Sequence, residues 1–270
     1  MFGLATTRRA GGLWRIIQPK AAGPELAAPE AACPISHGRF RELRGMVFDM
    51  GDVLYDATLW RRWLYQLLVR MGLHGQYRLL YHVWESDFLQ DVYLGRRDFA
   101  AAFHTFLLSI GLSRGQVDEV EAASQARKRE LELDVRPLPG VRATIQRLTE
   151  GGLQLAVLNN SDQKSEELQA HLDQLGLGGF FSPVLSSIDL RHAKPSPVCY
   201  RAALETMRLP CEAVAFVGHD GAELLGARAI GMRTVAFNHD AGVRADHYLT
   251  RFEDLLQLVE SMAATAATAA

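Results

Sequence analysis

Four short segments of the chain place polar side chains directly after an apolar run. In FDMGDVLYD, Asp49 follows Met46, Val47 and Phe48, so a carboxylate stands at the end of a buried stretch. The run LQLAVL ends in Asn159, Asn160 and Ser161. PVLSS leads into RHAKPSP, which carries Lys194 ahead of a proline, and AVAFVG leads into HDGAE with His219, Asp220 and Glu223. Taken singly, each has a plain reading: Asp49 suits a turn or helix cap, Lys194 a solvated surface, and the last trio a helix start. A carboxylate is costly to bury without a partner, however. A carboxylate, an amide pair, a cation and an acidic cluster capable of ligating a metal, at four successive run ends, make a constellation suited to chemistry.

The elements that would position these groups follow from periodicity. The runs at 46–48, 153–158, 183–187, 213–218 and 234–237 read as buried strands. Helical patterns fall near 140–150, 163–175, 196–208, 221–230 and 251–261, with glycines at 151–152, 178–179 and 231 as stops. Strands alternating with helices predict an α/β fold: a Rossmann-like parallel sheet with helices on both faces. In such a sheet the functional loops gather at the carboxyl ends of the strands.

One long insertion, 57–136, interrupts that alternation. Trp60, Trp63, Leu64, Leu67, Leu68 and Met71 fall on one helical face, as do Tyr77, Leu80, Tyr81, Trp84 and Phe88. Phe99, Phe103, Phe106, Leu107 and Ile110 form a third stripe, and Ser113 with Gln116 opens a fourth helix through a capping box. The expected organisation is therefore an α/β core over 45–56 and 137–260 and an all-helical cap over 57–136. The cap leaves after the first strand and returns before the next helix, so it is expected over the strand ends as a lid. Residues 1–44 read as a disordered or targeting-like leader and 261–270 as a disordered tail.

Composition narrows the classes of partner. Lys+Arg 29 against Asp+Glu 31 gives a net charge of -2, which lacks the cationic excess of a nucleic-acid binder. No run approaches the ~20 apolar residues that cross a bilayer. Cys33, Cys199 and Cys211 form no CxxC pattern and read as reduced thiols of a cytoplasmic protein. The Arg-rich, acid-poor leader gives the alternative of an organelle-targeted chain. Oligomeric state is left open.

With these segments in order, the sequence resembles the haloacid dehalogenase-like hydrolase superfamily, in the subgroup with a helical cap inserted after the first strand. FDMGDVL resembles its first motif, LAVLNN its second, KPSPVCYRAAL its third and VAFVGHDGAELLGARAIGM its fourth. The resemblance implies a magnesium-dependent phosphatase acting on a small phosphorylated metabolite. Asp49 would attack phosphorus, and water would release phosphate from the aspartyl-phosphate. It further implies magnesium bridging Asp49, the Gly51 carbonyl and a motif-four acid, Asp220 or Glu223. Lys194 would balance phosphoryl charge, and Asn159, with Asn160 beside it, would bind the phosphoryl oxygens.

Three departures bear on activity. Gly51 stands where phosphatases of the family carry the aspartate that protonates the leaving group, with Asp52 one residue on. General acid catalysis is worth about 10²–10⁴-fold, so unactivated alkyl phosphates are expected to be poor substrates. Asn159 replaces a Ser or Thr, and His219 replaces the first acid of the fourth motif. Two other functions follow from these changes. A catalytically weakened protein would bind a phosphorylated ligand or partner without turnover. A metal-free haloacid dehalogenase would let Asp49 displace halide, which needs no proton. Tyr200 keeps the dehalogenase spacing after Lys194, while Val53 departs from its threonine. The carboxylate-holding arginine of dehalogenases has no clear equivalent among Arg61, Arg62, Arg70, Arg96 and Arg97.

Overall fold

In a computed structural model the described residues are 43–268, with side chains described to 262. The leader lies outside them apart from its last two residues. Leu43 is buried, and the Arg44 N–H donates to the Ala213 carbonyl, so the ordered core begins before the expected boundary at 45.

Six parallel strands build one sheet: β1 (Gly45–Phe48), β2 (Gln154–Asn159), β3 (Val184–Ser186), β4 (Val214–Gly218), β5 (Arg233–Phe237) and β6 (His247–Leu249). Their order is β3-β2-β1-β4-β5-β6, with Val47 opposite Ala156 on one side and Phe216 on the other. β1 is buried along its whole length, which is why its sequence is an unbroken apolar run. Successive side chains alternate between faces. Met46 and Phe48 pack with Ile145 of α6 (Val141–Glu150), Leu168 of α7 (Ser165–Gln174) and Leu255 of α11 (Asp254–Thr268). Val47 packs with Tyr200 and Ala203 of α9 (Pro197–Met207) and Leu224 of α10 (Gly221–Ala229). The sheet is thus covered on both faces, and the chain reverses its direction of travel across it at β1. Ligand crevices open at such switch points, beyond the carboxyl ends of the strands.

The insertion is helical throughout its main span: α1 (Thr58–Arg70), α2 (Tyr77–Val83), α3 (Gln90–Tyr93), α4 (Phe99–Ser109) and α5 (Arg114–Leu133). It has a core of its own. Leu64, Leu68, Trp84, Phe103, Phe106, Leu107 and Val120 are buried together, with the Trp84 ring 4.9 Å from that of Phe106. Asp98 caps α4 by accepting from Ala101 N–H, and Ser113 and Gln116 cap α5 reciprocally. Between α2 and α3 the chain runs as a π-helical turn, Trp84–Leu89.

Two features differ from the sequence expectation. β6 is three residues long with one buried side chain, too little to show a period. α11 runs on to Thr268 instead of ending near 260, because its alanine-rich end has high helix propensity.

Candidate active site

Asp49 leaves β1 with its N–H donating to the Val217 carbonyl, which ties the first loop residue to β4. The chain then turns tightly: Leu54 N–H donates to Met50, and Asp52 N–H to Tyr55. Asp52 takes a left-handed conformation (φ 58°), and Asn238 steadies it by donating to its carbonyl. The turn keeps Asp49 beneath the insertion and at the floor of a cavity of about 460 Å³.

Lys194 reaches Asp49 from the loop that follows β3 and the short α8 (Ser187–Leu190). Its Nζ donates to Asp49 Oδ1 at 2.6 Å and lies 2.8 Å from Glu223 Oε2, with the lysine side chain wholly buried. Asn160 fixes this lysine from behind. Its amide donates to the Lys194 carbonyl and to Glu223 Oε1, and its Oδ1 accepts from Lys194 N–H. Expected beside substrate, Asn160 therefore spends its side chain on the framework. Asn159 and Asn160 both line the cavity.

The approach of these loops depends on a missing side chain. A Cβ at Gly226 of α10 would lie 2.7 Å from the Pro195 carbonyl oxygen, so only glycine lets α10 pack against the loop that carries Lys194. Tyr200 is buried below, where its hydroxyl donates to the Glu223 carbonyl. It steadies the glutamate and does not line the cavity.

His219, at the end of β4, completes the surround of Asp49. Its Nδ1 stands 3.2 Å from Asp49 Oδ2, an ion-pair contact whose direction is off-line for a hydrogen bond, and its Nε2 is 4.0 Å from Asp52 Oδ2. Burial by itself would raise the Asp49 pKa, but Lys194 and then His219 outweigh it and hold the carboxyl well below its usual range. Burial works to lower the pKa of His219, and Asp49 overrides it, holding the imidazolium up at about 9. Lys194 is raised in the same way by Asp49 and Glu223 against its burial. Glu223 lies against that lysine and is nonetheless pushed up to about 7, because burial and the neighbouring Asp49 charge exceed the lysine's pull. The ammonium serves Asp49 first.

The insertion supplies the other wall. Arg61 of α1 pairs with Asp52 Oδ2 at 2.5 Å and with Glu85 of the π-helical turn at 3.1 Å. Asp52 also accepts from Ala57 N–H, so this carboxylate, one residue beyond the usual acid position, is committed to the hinge of the insertion. Trp60, Phe99 and Lys128 line the same wall. Sequence patterning missed Lys128, although it lies four residues beyond Ser124 on the buried line of α5.

A family model for haloacid dehalogenase-like hydrolase matches residues 43–231, which include Asp49, Asn159, Lys194, His219 and Glu223. The chain belongs to this family. The haloacid dehalogenase-like chain is 22% identical to (S)-2-haloacid dehalogenase 2 of Pseudomonas sp. strain CBS-3, over 81% of its own length and 96% of that protein. It is 34% identical to a phosphoglycolate phosphatase of Neisseria meningitidis, over 42% of its length and 47% of the phosphatase, so that likeness spans about half of the relative. Its fold matches L-2-haloacid dehalogenase from Xanthobacter autotrophicus with a TM-score of 0.58, at 21% identity and covering 82% and 99% of the two chains.

The magnesium site implied for the family does not fit these residues. Both oxygens of Asp49 face nitrogen cations, and His219 stands where an acidic ligand would be needed. Glu223 is bound to Lys194 and Asn160, while Asp220 is exposed and caps α10 by accepting from Glu223 N–H. Among the described residues no three His, Cys, Asp or Glu side chains converge on a point that could hold a metal. Magnesium needs a near-octahedral set of oxygens, and this arrangement offers a nitrogen-flanked carboxylate instead.

Proposed function

We propose that this haloacid dehalogenase-like hydrolase cleaves a small phosphorylated metabolite through an aspartyl-phosphate on Asp49. The contact between Asp49 and a fully buried Lys194 carries the reading. It keeps the carboxylate ionised at neutral pH and places a fixed positive charge where a phosphoryl group must approach. An Asp49 oxygen would attack phosphorus as the bond to the leaving oxygen breaks, that oxygen departing with the electron pair. Water would then attack phosphorus, giving inorganic phosphate and the free carboxylate. Lys194 and His219 would balance the charge of the transferred group, and Asn159 would donate to one of its oxygens. The helical insertion acts as a cap that limits access of bulk water. The cavity volume suits a metabolite-sized ligand. The likeness to a phosphoglycolate phosphatase supports hydrolysis of a phosphate ester.

A second reading rests on His219 and Gly51. A carboxylate flanked by cations, with no proton donor at the acid position, also suits displacement of halide from carbon. The likeness to (S)-2-haloacid dehalogenase 2 over most of both chains supports it. One comparison separates the readings: phosphate release from a panel of phosphorylated metabolites beside halide release from 2-haloacids, each with an Asp49→Asn control. Phosphate release lost in the control supports the first reading, and halide release lost in the control supports the second. Binding of phosphorylated ligands without turnover would instead mark a catalytically weakened protein.

A further inference from the structure

Besides Lys194, His219 and the paired Arg61, the cavity has one more cation, Lys128, that neither reading of the reaction uses. α5 buries Val117, Val120 and Ser124 along one line, and Lys128 continues that line one turn further on. A lysine there points inward from a helix whose other face is solvated. Its Nζ lies 3.6 Å from the centre of the Phe99 ring and 4.9 Å from that of Trp60. The Trp60 indole is itself held, its Nε1–H donating to Ser124 Oγ at 3.0 Å. Among the described residues no carboxylate pairs with Lys128. Asp162 and Glu132, whose charges act on it, are both exposed.

Ring faces attract an ammonium but accept none of its hydrogen bonds in full strength, so Lys128 keeps N–H donors available in a partly dry setting. Lys128, Trp60 and Phe99 line the same cavity as Asp49 and Lys194. We propose that Lys128 binds a second anionic group of the substrate, a carboxylate or a further phosphate, at the insertion's side of the cavity. The inference rests on the phosphate-ester reading and gives it a substrate class: small phosphate esters bearing a second anion. Trp60 and Phe99 position the ammonium and shield it from water, which strengthens its attraction for an anion.

Three probes test this: phenyl phosphate, 4-carboxyphenyl phosphate and 1,4-phenylene bisphosphate, which share an aryl leaving group. The kcat/KM ratio of each doubly anionic probe to phenyl phosphate should exceed one in the native chain. Lys128→Met, which keeps the stem over the rings, should lower that ratio about tenfold, and Lys128→Arg should restore most of it. Whichever of the two probes shows the larger fall identifies the second anion as carboxylate or phosphate. The same probes are titrated by calorimetry into Asp49→Asn, with and without Lys128→Met. Anion-dependent binding that is lost with Lys128, found together with a native chain that hydrolyses none of the probes, would sink the reaction while leaving the subsite standing. Equal affinity for the singly and doubly anionic probes, or binding of neither, would overturn the subsite.

Discussion

His219 Nδ1 stands 3.2 Å from one oxygen of Asp49 while Lys194 Nζ stands 2.6 Å from the other, so the carboxylate is flanked by nitrogen on both sides. A divalent cation has no oxygen of Asp49 left to itself. Magnesium is therefore expected to leave the thermal midpoint of the native chain unchanged and to give no heat of binding at low millimolar concentration. In His219→Asp a carboxylate replaces the imidazole beside Asp49 and Asp52. That variant should be less stable without magnesium and regain stability with it. Calorimetric binding of magnesium by the native chain would contradict the expectation.

The same contact makes stability depend on pH. The His219 pKa in the folded chain, about 9, lies above its ordinary value near 6.5. Its contribution is thus fully present below about pH 6.5 and is lost as pH rises through 9. Over that window the unfolding free energy should fall by about 1–3 kcal/mol more in the native chain than in His219→Gln, discounted for the ring's partial exposure. Urea titrations of both chains at several pH values give the difference, and parallel pH curves would refute it.

Leaving-group chemistry tests the role of Gly51. With Asp52 committed to Arg61 and Ala57, an alkoxide would depart without its usual proton donor. Aryl phosphates should be strongly preferred to alkyl phosphates. Gly51→Asp should reduce that preference, combined with Ala57→Gly because a new Cβ would lie 3.1 Å from the Ala57 methyl. The measurement is the aryl-to-alkyl ratio of kcat/KM. A native chain already efficient on alkyl phosphates, with no change in the variant, would place the proton donor elsewhere.

The insertion's core gives a prediction about stability. Phe106 is almost wholly buried and touches the rings of Trp84 and Phe88. Phe106→Ala should cost about 3–5 kcal/mol, since neighbouring rings cannot collapse into the space. Urea unfolding followed by far-ultraviolet circular dichroism measures it, and a loss below about 1 kcal/mol would show that the insertion repacks.

Legibility in the sequence followed physical cause. Asp49, Asn159 and the 219–223 cluster stand out because each directly follows an apolar run, and Lys194 because it lies on the segment leading on from one; a parallel sheet gathers such segments at one rim. The helical stripes of the insertion were visible because aromatic side chains repeat at helical spacing. Pairings across the chain were not. Nothing local says that Asn160 clamps Lys194, that Arg61 takes Asp52, or that His219 meets Asp49, since each depends on loops brought together by the fold. Lys128 could have been noticed as a cation on the buried line of α5. β6 offered one buried residue and no period.

The most direct test of the account is to trap the intermediate. The native chain is mixed briefly with an aryl phosphate carrying radiolabelled phosphorus, quenched in acid, reduced with borohydride and mapped by mass spectrometry. The account predicts hydroxylamine-sensitive label in the quenched protein and reductive conversion at Asp49, with neither in Asp49→Asn. Phosphate release that proceeds without label on Asp49, or survives in Asp49→Asn, would contradict it.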